Sequence, residues 1–389
     1  MAKTADVVVI GAGINGASIA YNLAQKGCRR VVVLEKYLVA SGGTGKSAAI
    51  VRQHYSTETL VAMVKRCRDI FEHFPEMVGG SAGFVKTGYL FLVPDYVLAS
   101  FRDNIAMQQR IGVRTSIISK EEARSVAPQM DFSDVTAIAY EPDSGFADPY
   151  QSTVSYLDRA RQLGAEIHQM SPVQSIRVKN GAVQAVHTDS EEFITPVVVN
   201  AAGPWANVIG ALVNISYPLQ ITREQEVLFR PRTAQDCPNI TVSDMCNAIY
   251  FHPFGSEMLV GRGFPKEYEE VDPDRYNEAA DPDFIYEVGE RLMKRIPSMS
   301  ESMPIRGYSG LYDVTPDWHP IIGLHSELQG FVSAVGFSGH GFKLGPVVGE
   351  AVAELILDGK SRTADLTILS PARFAQGKAV QSAYGGNRA

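Results

Sequence analysis

Three glycines and an acidic residue near the start of the chain have the types and spacing of a dinucleotide-binding site. Gly11, Gly13 and Gly16 form a Gly-x-Gly-x-x-Gly motif, and Glu35 follows Gly11 by 24 residues. The first glycine permits a tight turn, the second lets a pyrophosphate approach the backbone, and the third lets a helix pack closely on a strand. The helix N-terminus attracts phosphate, and the acid can accept both ribose hydroxyls. The motif predicts a dinucleotide and disfavours the 2′-phosphate of NADP, but it does not by itself distinguish FAD from NAD.

A second glycine- and serine-rich stretch, residues 40–47, has two interpretations. Its sequence, Ala-Ser-Gly-Gly-Thr-Gly-Lys-Ser, differs from a nucleoside triphosphate P-loop only at Ala40, where a P-loop has glycine. A P-loop should leave directly from its own buried strand and be served by a second strand that ends in a Mg²⁺-binding aspartate, and the sequence offers neither. We favour the alternative, in which Ser41, Thr44, Ser47 and the glycine backbone cradle the second half of an FAD pyrophosphate and the ribityl chain.

The elements around these stretches predict a βαβ unit at the start of the chain. Residues 6–10 are apolar and β-branched, a helical pattern follows the glycines, and residues 30–35 form a second apolar run that ends in Glu35. Such runs are typical of buried parallel strands. Residues 40–50 are expected to begin a helix, and residues 79–94 alternate as strands do. Further elements are predicted as parallel-type strands at 196–202 and 330–335, a hairpin with an Asn180-Gly181 turn at 173–188, mostly antiparallel strands at 218–265, and helices at 58–74, 96–111, 120–126, 284–296 and 344–357.

This order of elements predicts an α/β fold, α+β overall, with two domains. A chain of 389 residues is long enough for two or three domains. Parallel-type strands at the start, middle and end indicate one Rossmann-like βαβ domain for the dinucleotide, assembled from residues 1–80, 145–215 and 325–389. The intervening residues, 81–144 and 216–324, are expected to form an inserted, mostly antiparallel sheet domain that binds the substrate.

Composition and charge exclude several classes of protein. A formal net charge of −7 argues against nucleic-acid binding, and the absence of an 18-residue apolar run argues against a membrane span. The four cysteines are too scattered for a metal clip and indicate reduced thiols. A signal peptide is disfavoured because glycines interrupt the first apolar stretch. We therefore expect a cytoplasmic protein without a metal site.

With these motifs, the chain resembles the D-amino-acid oxidase (DAO) superfamily of FAD enzymes. Within it the chain is similar to sarcosine oxidases, dimethylglycine dehydrogenase, glycine oxidase and the β subunits of multi-subunit sarcosine oxidases and proline dehydrogenases. Residues 7–36, 41–55, 199–206, 307–323 and 336–348 carry the resemblance. The resemblance implies FAD as the cofactor, bound by a Rossmann-like domain that is joined to a large-sheet substrate domain.

The resemblance also implies which residues hold FAD. Helix N–H groups after Gly341 and a cation at Lys343 would stabilise the negative charge that a reduced flavin gathers near N1. The implied contacts are, for the ADP half, Gly11, Gly13, Ile14, Asn15, Gly16, Glu35 and Lys36; for the pyrophosphate and flavin, Ser41, Gly43, Thr44, Ser47 and Ala48; for the adenine, the backbone of Val173; along the dinucleotide, Ala202, Gly203 and Trp205; and around the isoalloxazine, Gly310, Gly339, His340, Gly341, Phe342 and Lys343.

Two departures from the superfamily pattern carry predictions. Some members link the flavin covalently through a cysteine at the position of Gly310 or a histidine near Lys46; neither is present here, so we expect non-covalent FAD. Sarcosine oxidases also carry a lysine that aids the reaction with oxygen, and the corresponding position here is Leu259 or Val260. The electron acceptor is therefore either oxygen or a protein or quinone, and this departure favours the second.

Superfamily members transfer hydride from a carbon beside an amine nitrogen to flavin N5, and water hydrolyses the resulting imine. Arg52 and Lys343 are the candidate anchors for a substrate carboxylate, although each could instead be a solvated surface cation. Tyr250, His252 and His340 are polar aromatic residues near the motifs, and each alone could equally serve packing.

We expect an FAD-dependent oxidoreductase for the C–N bond of a small secondary or N-methylated amino acid. Three alternatives stay open at this point: a 2-hydroxy-acid enzyme of the same fold, a flavoprotein subunit that works only with partner subunits, and NTP hydrolysis at residues 40–47.

Overall fold

The fold is described by a computed structural model that covers residues 3–384, so the predicted domain ends at 1–2 and 385–389 lie outside the described residues. The strands are β1 (Lys3–Thr4), β2 (Val7–Ile10), β3 (Val31–Leu34), β4 (Ile50–Val51), β5 (Tyr89–Val93), β6 (Ser116–Ile118), β7 (Ala137–Glu141), β8 (Gly145–Phe146), β9 (Glu166–His168), β10 (Val173–Lys179), β11 (Ala182–Thr188), β12 (Glu192–Ile194), β13 (Val198–Asn200), β14 (Gln220–Arg230), β15 (Thr241–Asp244), β16 (Ile249–Phe254), β17 (Glu257–Arg262), β18 (Glu269–Glu270), β19 (Met303–Val314), β20 (Ile321–His325) and β21 (Leu328–Val335). The helices are α1 (Ile14–Gln25), α2 (Glu58–Glu72), α3 (Phe74–Met77), α4 (Leu98–Ile111), α5 (Lys120–Val126), α6 (Pro149–Gln162), α7 (Ala206–Ala211), α8 (Pro282–Arg295) and α9 (Gly341–Asp358). None of these helices, within residues 3–384, is long and apolar enough to cross a membrane.

The first sheet has ten strands and a parallel centre. Its centre runs in the order β21, β13, β2, β3 and β9, and every neighbouring pair there is parallel. All four residues of β2 and of β3 are buried, as expected for β-branched strands covered on both faces. At one side, β10, β11 and β12 form an antiparallel extension, and β20 pairs with β21 as a hairpin. This arrangement confirms a mixed α/β fold.

Helices α1 and α9 bring the two ends of the chain together against this sheet. A Cβ atom on Gly345 would lie 2.7 Å from Cγ1 of Ile14, and one on Gly349 would lie 2.0 Å from Oγ of Ser18. Glycine at these two positions therefore permits the close crossing of α9 over α1. The crossing places the start of α9 beside the turn that opens α1.

The second sheet has nine strands and is mostly antiparallel. Its order is β18, β14, β17, β16, β15, β5, β7 and β6, with β19 on the other edge of β14; only the β5–β15 pair is parallel. Helix α8 packs Phe284, Val288 and Leu292 into the apolar core of this sheet. The opposite face of β14, β16 and β19 carries the polar residues described below.

Several predicted elements match the structure and three do not. The hairpin is confirmed, with Asn180 and Gly181 at φ 53° and 72° between β10 and β11. Residues 40–50 form a 3₁₀ turn and the short β4 instead of starting a helix. In residues 79–94 only Tyr89–Val93 form a strand, β5, and Val85 makes an isolated β-bridge with Phe146. The predicted domain boundary at 324/325 is also wrong, because β20 pairs with β21 and so belongs to the first sheet.

Candidate active site

A central cleft lies between the two sheets and is lined by segments from both ends of the chain. The opening turn contributes Gly11 and Gly13, and the late segment contributes Gly339 and Gly341. The predicted residues that line it are Gly11, Gly13, Ile14, Asn15, Glu35, Lys36, Ser41, Gly43, Thr44, Ser47, Val173, Ala202, Gly203, Trp205, Gly310, Gly339, Gly341 and Phe342. The fold therefore gathers segments that are more than 300 residues apart in sequence around one cleft.

The opening turn is held by the Glu35 carboxylate and borders the cleft. Glu35 accepts hydrogen bonds from the backbone N–H of Ala12 through Oε2 (2.7 Å) and of Tyr37 through Oε1 (2.8 Å). Gly16 lies outside the wall of the cleft, where a Cβ atom would meet the Gly11 carbonyl oxygen at 2.0 Å. The third glycine of the motif thus serves the close packing of α1 on β2, and the carboxylate at the end of β3 fixes the turn.

Residues 40–47 fold over the N-terminus of α1. The Thr44 hydroxyl accepts a hydrogen bond from the Ile14 backbone N–H at 3.1 Å, and a Cβ atom on Gly13 would come within 3.0 Å of that hydroxyl. This long-range cap explains why the stretch forms a short 3₁₀ turn. The stretch lies beside the dinucleotide turn and follows no strand of its own, so its geometry does not favour the P-loop interpretation.

The late segment lines the cleft beside the opening turn. A Cβ atom on Gly339 would lie 2.4 Å from the ring of Tyr312, and one on Gly341 would lie 3.2 Å from Nδ2 of Asn15. Oδ1 of Asn15 is buried and has no hydrogen-bond partner among the described residues. A polar atom left in this way at a glycine-lined helix N-terminus fits a bound group that carries hydrogen-bond donors.

Six other predicted residues lie outside the wall of the cleft. Arg52, His340 and Lys343 form a buried cation cluster, and Tyr250 and His252 lie on β16 in the second sheet. Ala48 is half-buried, and its backbone hydrogen-bonds to the Glu226 carboxylate. The structure therefore brings these residues near the cleft but not into its surface.

The cation cluster is centred on Arg52, which is only 8% exposed. Its guanidinium lies 4.3 Å from the centroid of the Tyr55 ring and donates to the His54 carbonyl. Burial opposes the charge of Arg52, but Tyr55, Tyr89 and then Glu141 outweigh that effect and raise its pKa. Arg52 thus stays cationic in a buried setting, where its charge is weakly screened.

His340 and Lys343 have the opposite tendency. Nδ1 of His340 lies 2.9 Å from the Tyr55 hydroxyl, and its Nε2 is buried without a hydrogen-bond partner among residues 3–384. Burial, followed by the charge of Arg52, lowers the pKa of Lys343 well below its usual range. Burial and the cations Lys343 and Arg52 likewise lower the pKa of His340. Both groups therefore bind a proton less readily than they would in water, and the role of Lys343 as an anchor stays a prediction.

A buried carboxyl group fixes the segment that carries Arg52. Oε2 of Glu141, at the end of β7, accepts hydrogen bonds from the Gln53 backbone N–H (2.8 Å) and the Ser144 hydroxyl (2.7 Å). Burial raises the pKa of Glu141 to about 7. Sequence reasoning missed this residue, because β7 and residues 50–53 are far apart in the chain and meet only through the fold.

Sequence reasoning also missed two carboxyl groups that line the cleft, Glu224 and Glu226. The Tyr250 hydroxyl donates to Oε1 of Glu226 at 2.9 Å, and the Tyr308 hydroxyl donates to its Oε2 at 2.6 Å. Burial raises the pKa of Glu226 to about 7. The available signal was the alternation Thr222-x-Glu224-x-Glu226, which puts both acids on one face of β14.

Residues 271–281 cross from the second sheet to the outer rim of the cleft. Oδ1 of Asp274 accepts hydrogen bonds from Nζ of Lys36 (2.6 Å) and Nε1 of Trp205 (2.9 Å). Nζ of Lys46 lies 2.6 Å from both the Tyr276 hydroxyl and Oε2 of Glu278. We call residues 271–281 the strap, because this segment contacts three residues that border the cleft, Lys36, Lys46 and Trp205.

The two positions used for covalent flavin attachment elsewhere in the superfamily are adjacent in this structure. A Cβ atom on Gly310 would lie 2.9 Å from Cβ of Lys46. Neither position provides a cysteine or histidine here. Non-covalent binding of the flavin stays a prediction, and a covalent bond at Gly310 or near Lys46 would contradict it.

Comparison with known proteins shows the family. The family model described as FAD dependent oxidoreductase (DAO) matches residues 6–355. The chain belongs to the DAO family. Among solved structures, L-proline dehydrogenase from P. horikoshii is 34% identical, with a TM-score of 0.89 over 97% of this chain and 99% of that one. Glycine oxidase from Geobacillus kaustophilus, at 23% identity and a TM-score of 0.82 over 95% of this chain and 98% of that one, shares the fold.

Curated relatives extend the comparison. Mitochondrial sarcosine dehydrogenase from Mus musculus is 28% identical over 92% of this chain but only 40% of its own length, so the chain spans less than half of that relative. FAD-dependent oxidoreductase domain-containing protein 1 from Xenopus laevis is 29% identical over 96% of this chain and 83% of its own length.

As a member of this family, the chain is an FAD-dependent oxidoreductase, and the cleft fits FAD as its cofactor. The glycine-lined opening turn and Glu35 suit the ADP half, and the segment that contains Gly339 and Gly341 lies beside this turn in the cleft wall. The unpartnered oxygen of Asn15 at the helix N-terminus agrees with this assignment. The individual contacts between FAD and the residues named in the sequence analysis stay predictions.

Proposed function

We propose that the protein oxidises the C–N bond of a small secondary or N-methylated amino acid. The observation that carries the proposal is Arg52, a buried guanidinium whose electrostatic neighbours include Tyr312 in the wall of the FAD cleft. A weakly screened cation beside the cleft favours a substrate that carries a carboxylate. Two similar proteins, a sarcosine dehydrogenase and an L-proline dehydrogenase, agree by name with secondary amino acids as the substrate class.

When bound, FAD supplies a two-electron acceptor for the hydride on the carbon next to nitrogen. The work of the chain's own residues is to bind and orient the substrate. Arg52 holds the carboxylate, and Glu141 holds the backbone next to Arg52. Lys343 lies close enough to Arg52 for the charge of Arg52 to lower its pKa, and it stays a second predicted anchor for the carboxylate.

We further propose that the physiological acceptor is a protein or a quinone and not oxygen. Leu259 and Val260, which correspond to the oxygen-reactive lysine of sarcosine oxidases, are apolar and buried in β17. These two side chains carry no charge that could assist electron transfer to oxygen, and the nearby Lys266 is already paired with Glu224. Partner subunits and a cytoplasmic location stay predictions.

The test is anaerobic reduction of the purified FAD-loaded protein by matched substrates. Proline and N-methylglycine are compared with pyrrolidine and dimethylamine, which lack the carboxylate, and with 2-hydroxy acids, which lack the nitrogen. Flavin bleaching by the amino acids, at least ten times faster than by the carboxylate-free amines, supports the proposal. Bleaching by hydroxy acids alone, or by none of these compounds, contradicts it.

A further inference from the structure

The substrate-domain wall of the cleft has two acidic residues on one strand. Glu224 and Glu226 alternate along β14, so their side chains lie on the same face of the sheet, and both line the cleft. Both residues are buried, with exposures of 9% and 5%. Carboxyl groups are almost never buried unless they are paired, so each needs an explanation.

The two carboxyl groups have different partners. Glu224 is paired with Lys266, whose Nζ donates to it, and accepts a hydrogen bond from the Thr222 hydroxyl at 3.1 Å. Glu226 accepts hydrogen bonds from two tyrosine hydroxyls and from the Ala48 backbone N–H, and among residues 3–384 no cation lies within ion-pair distance of it. Glu224 is therefore neutralised within the fold, whereas the carboxylate of Glu226 has hydrogen bonds but no counter-charge.

Opposite charges lie near one part of the cleft wall. Tyr312, which lines the cleft, is an electrostatic neighbour of both Arg52 and Glu226. An amino acid carries the complementary pair of charges, a carboxylate and an ammonium separated by one carbon. The titratable and charged groups facing Glu226 are Tyr250 on β16, Tyr308 and Tyr312 on β19, and Glu224 with its partner Lys266.

We propose that Glu226 binds the ammonium group of the substrate and accepts its proton before oxidation. This inference rests on the proposed function, because it requires an amino-acid substrate. In the step, the ammonium N–H bond breaks, an O–H bond forms on Oε1 or Oε2 of Glu226, and the electron pair stays on nitrogen. No oxidation accompanies this transfer. The product is the neutral amine, whose lone pair assists loss of hydride from the adjacent carbon.

The contacts of Glu226 suit a proton acceptor. Two hydroxyl donors stabilise the ionised form, and the absence of a fixed cation among the described residues leaves room for a charged ligand. Burial raises the pKa of Glu226 to about 7. A catalytic base works best when its pKa lies near the operating pH, because it is then ionised and still binds a proton well. An approaching ammonium favours the ionised form further.

A purely structural role makes a different prediction. In that role, Glu226 would only join β16 and β19 through the hydroxyl groups of Tyr250 and Tyr308. Its removal would then weaken the binding of every ligand equally and at every pH. The two roles are therefore separated by the pH profile and by ligands with and without nitrogen.

The experiment compares wild type, Glu226→Gln and the control Glu257→Gln, which changes a carboxylate of the second sheet outside the cleft, where it pairs with Arg230. The substrate is the amino acid that reduces the wild-type flavin fastest. We measure kcat/KM from pH 6 to pH 10, and the Kd of methoxyacetate, an N-methylglycine analogue with oxygen in place of nitrogen, from the flavin absorbance. A charge-assisted hydrogen bond corresponds to a loss of about 10- to 100-fold in kcat/KM at pH 7 for Glu226→Gln.

The proposal predicts that this loss shrinks as the pH approaches the substrate's own amine pKa, because a neutral amine needs no proton acceptor. It also predicts unchanged Kd values for methoxyacetate in Glu226→Gln and unchanged behaviour of Glu257→Gln. An equal loss at every pH, or an equal weakening of methoxyacetate, overturns the proposal. If Glu226→Gln does not retain FAD, the same profile is measured on Glu226→Asp, which keeps the charge and is expected to retain the wild-type pH dependence with a smaller kcat/KM.

The failure of this inference is distinguishable from failure of the proposed function. If no amino acid reduces the wild-type flavin, the proposed function fails and the role of Glu226 as an ammonium acceptor fails with it. If amino acids reduce the wild type and Glu226→Gln equally well at pH 7, only the assignment of Glu226 fails.

Discussion

Replacement of Gly13 by valine should remove FAD while leaving the protein folded. Gly13 precedes α1 at φ −75° and ψ 179°, an extended conformation that any residue adopts. An added Cβ atom would meet only the Thr44 side chain, at 3.0 Å, so the fold can adjust. The remaining methyl groups project where the pyrophosphate must approach the backbone. Loss of two charge-assisted hydrogen bonds costs about 3–6 kcal/mol, which raises the Kd for FAD by at least about 100-fold.

The assay is the flavin content of the purified variant, with titration of the apoprotein by FAD and far-UV circular dichroism as the test of folding. Gly16→Ala is the contrasting variant, because its Cβ atom would lie 2.0 Å from the Gly11 carbonyl oxygen. We expect it to lower the free energy of unfolding by about 1–3 kcal/mol or more through overpacking. A folded Gly13→Val protein that binds FAD as tightly as wild type would refute the placement of the pyrophosphate at this turn.

Four further predictions follow from the contacts described above. Arg52→Ala should raise KM for amino acids by about 100-fold and change kcat less, whereas the exposed control Arg232→Ala should change KM little. An unchanged KM for Arg52→Ala in steady-state kinetics would remove Arg52 from the substrate site. Asp274→Ala should release FAD a few times faster by breaking the contacts of the strap with Lys36 and Trp205, and stopped-flow release rates equal to wild type would contradict this role. Acid precipitation should release all flavin into the supernatant, and colour in the pellet would reveal a covalent link. Burial tends to raise the pKa of Glu354, but backbone N–H donors and Lys26 lower it to about 2. The ionised group therefore contributes about 3 kcal/mol to the free energy of unfolding above pH 4.5, and this contribution is lost as the pH falls towards 2. Glu354→Gln should flatten the acid limb of the stability curve measured by urea unfolding, and an unchanged limb would contradict this prediction.

The features that local sequence encodes were predictable. The glycine motif, Glu35 and the Asn180-Gly181 turn each depend on residues that are close in sequence, and the structure has the motif in the expected strand–turn–helix setting. The fold family followed from several such motifs in a fixed order. Prediction of the DAO family from the sequence therefore needed no knowledge of long-range contacts.

The features that depend on long-range pairing were not predictable in the same way. Residues 40–50 have a helix-like pattern, but Thr44 caps α1 through a contact 30 residues away, and a 3₁₀ turn results. Glu226 acquires its surroundings from β16 and β19, and Asp274 meets Lys36 across 238 residues. The alternation of acids on β14 was visible in the sequence, but which face would meet the cleft was decided only by the pairing of the strands.

The central claim is that an amino acid binds over FAD with its carboxylate at Arg52. The most direct measurement is a crystal structure of the FAD-loaded protein with methoxyacetate. We predict electron density for the pyrophosphate at Gly13, and a methoxyacetate carboxylate within hydrogen-bond distance of the Arg52 guanidinium. A carboxylate bound elsewhere in the cleft, with Arg52 still contacting only protein groups, would contradict the account.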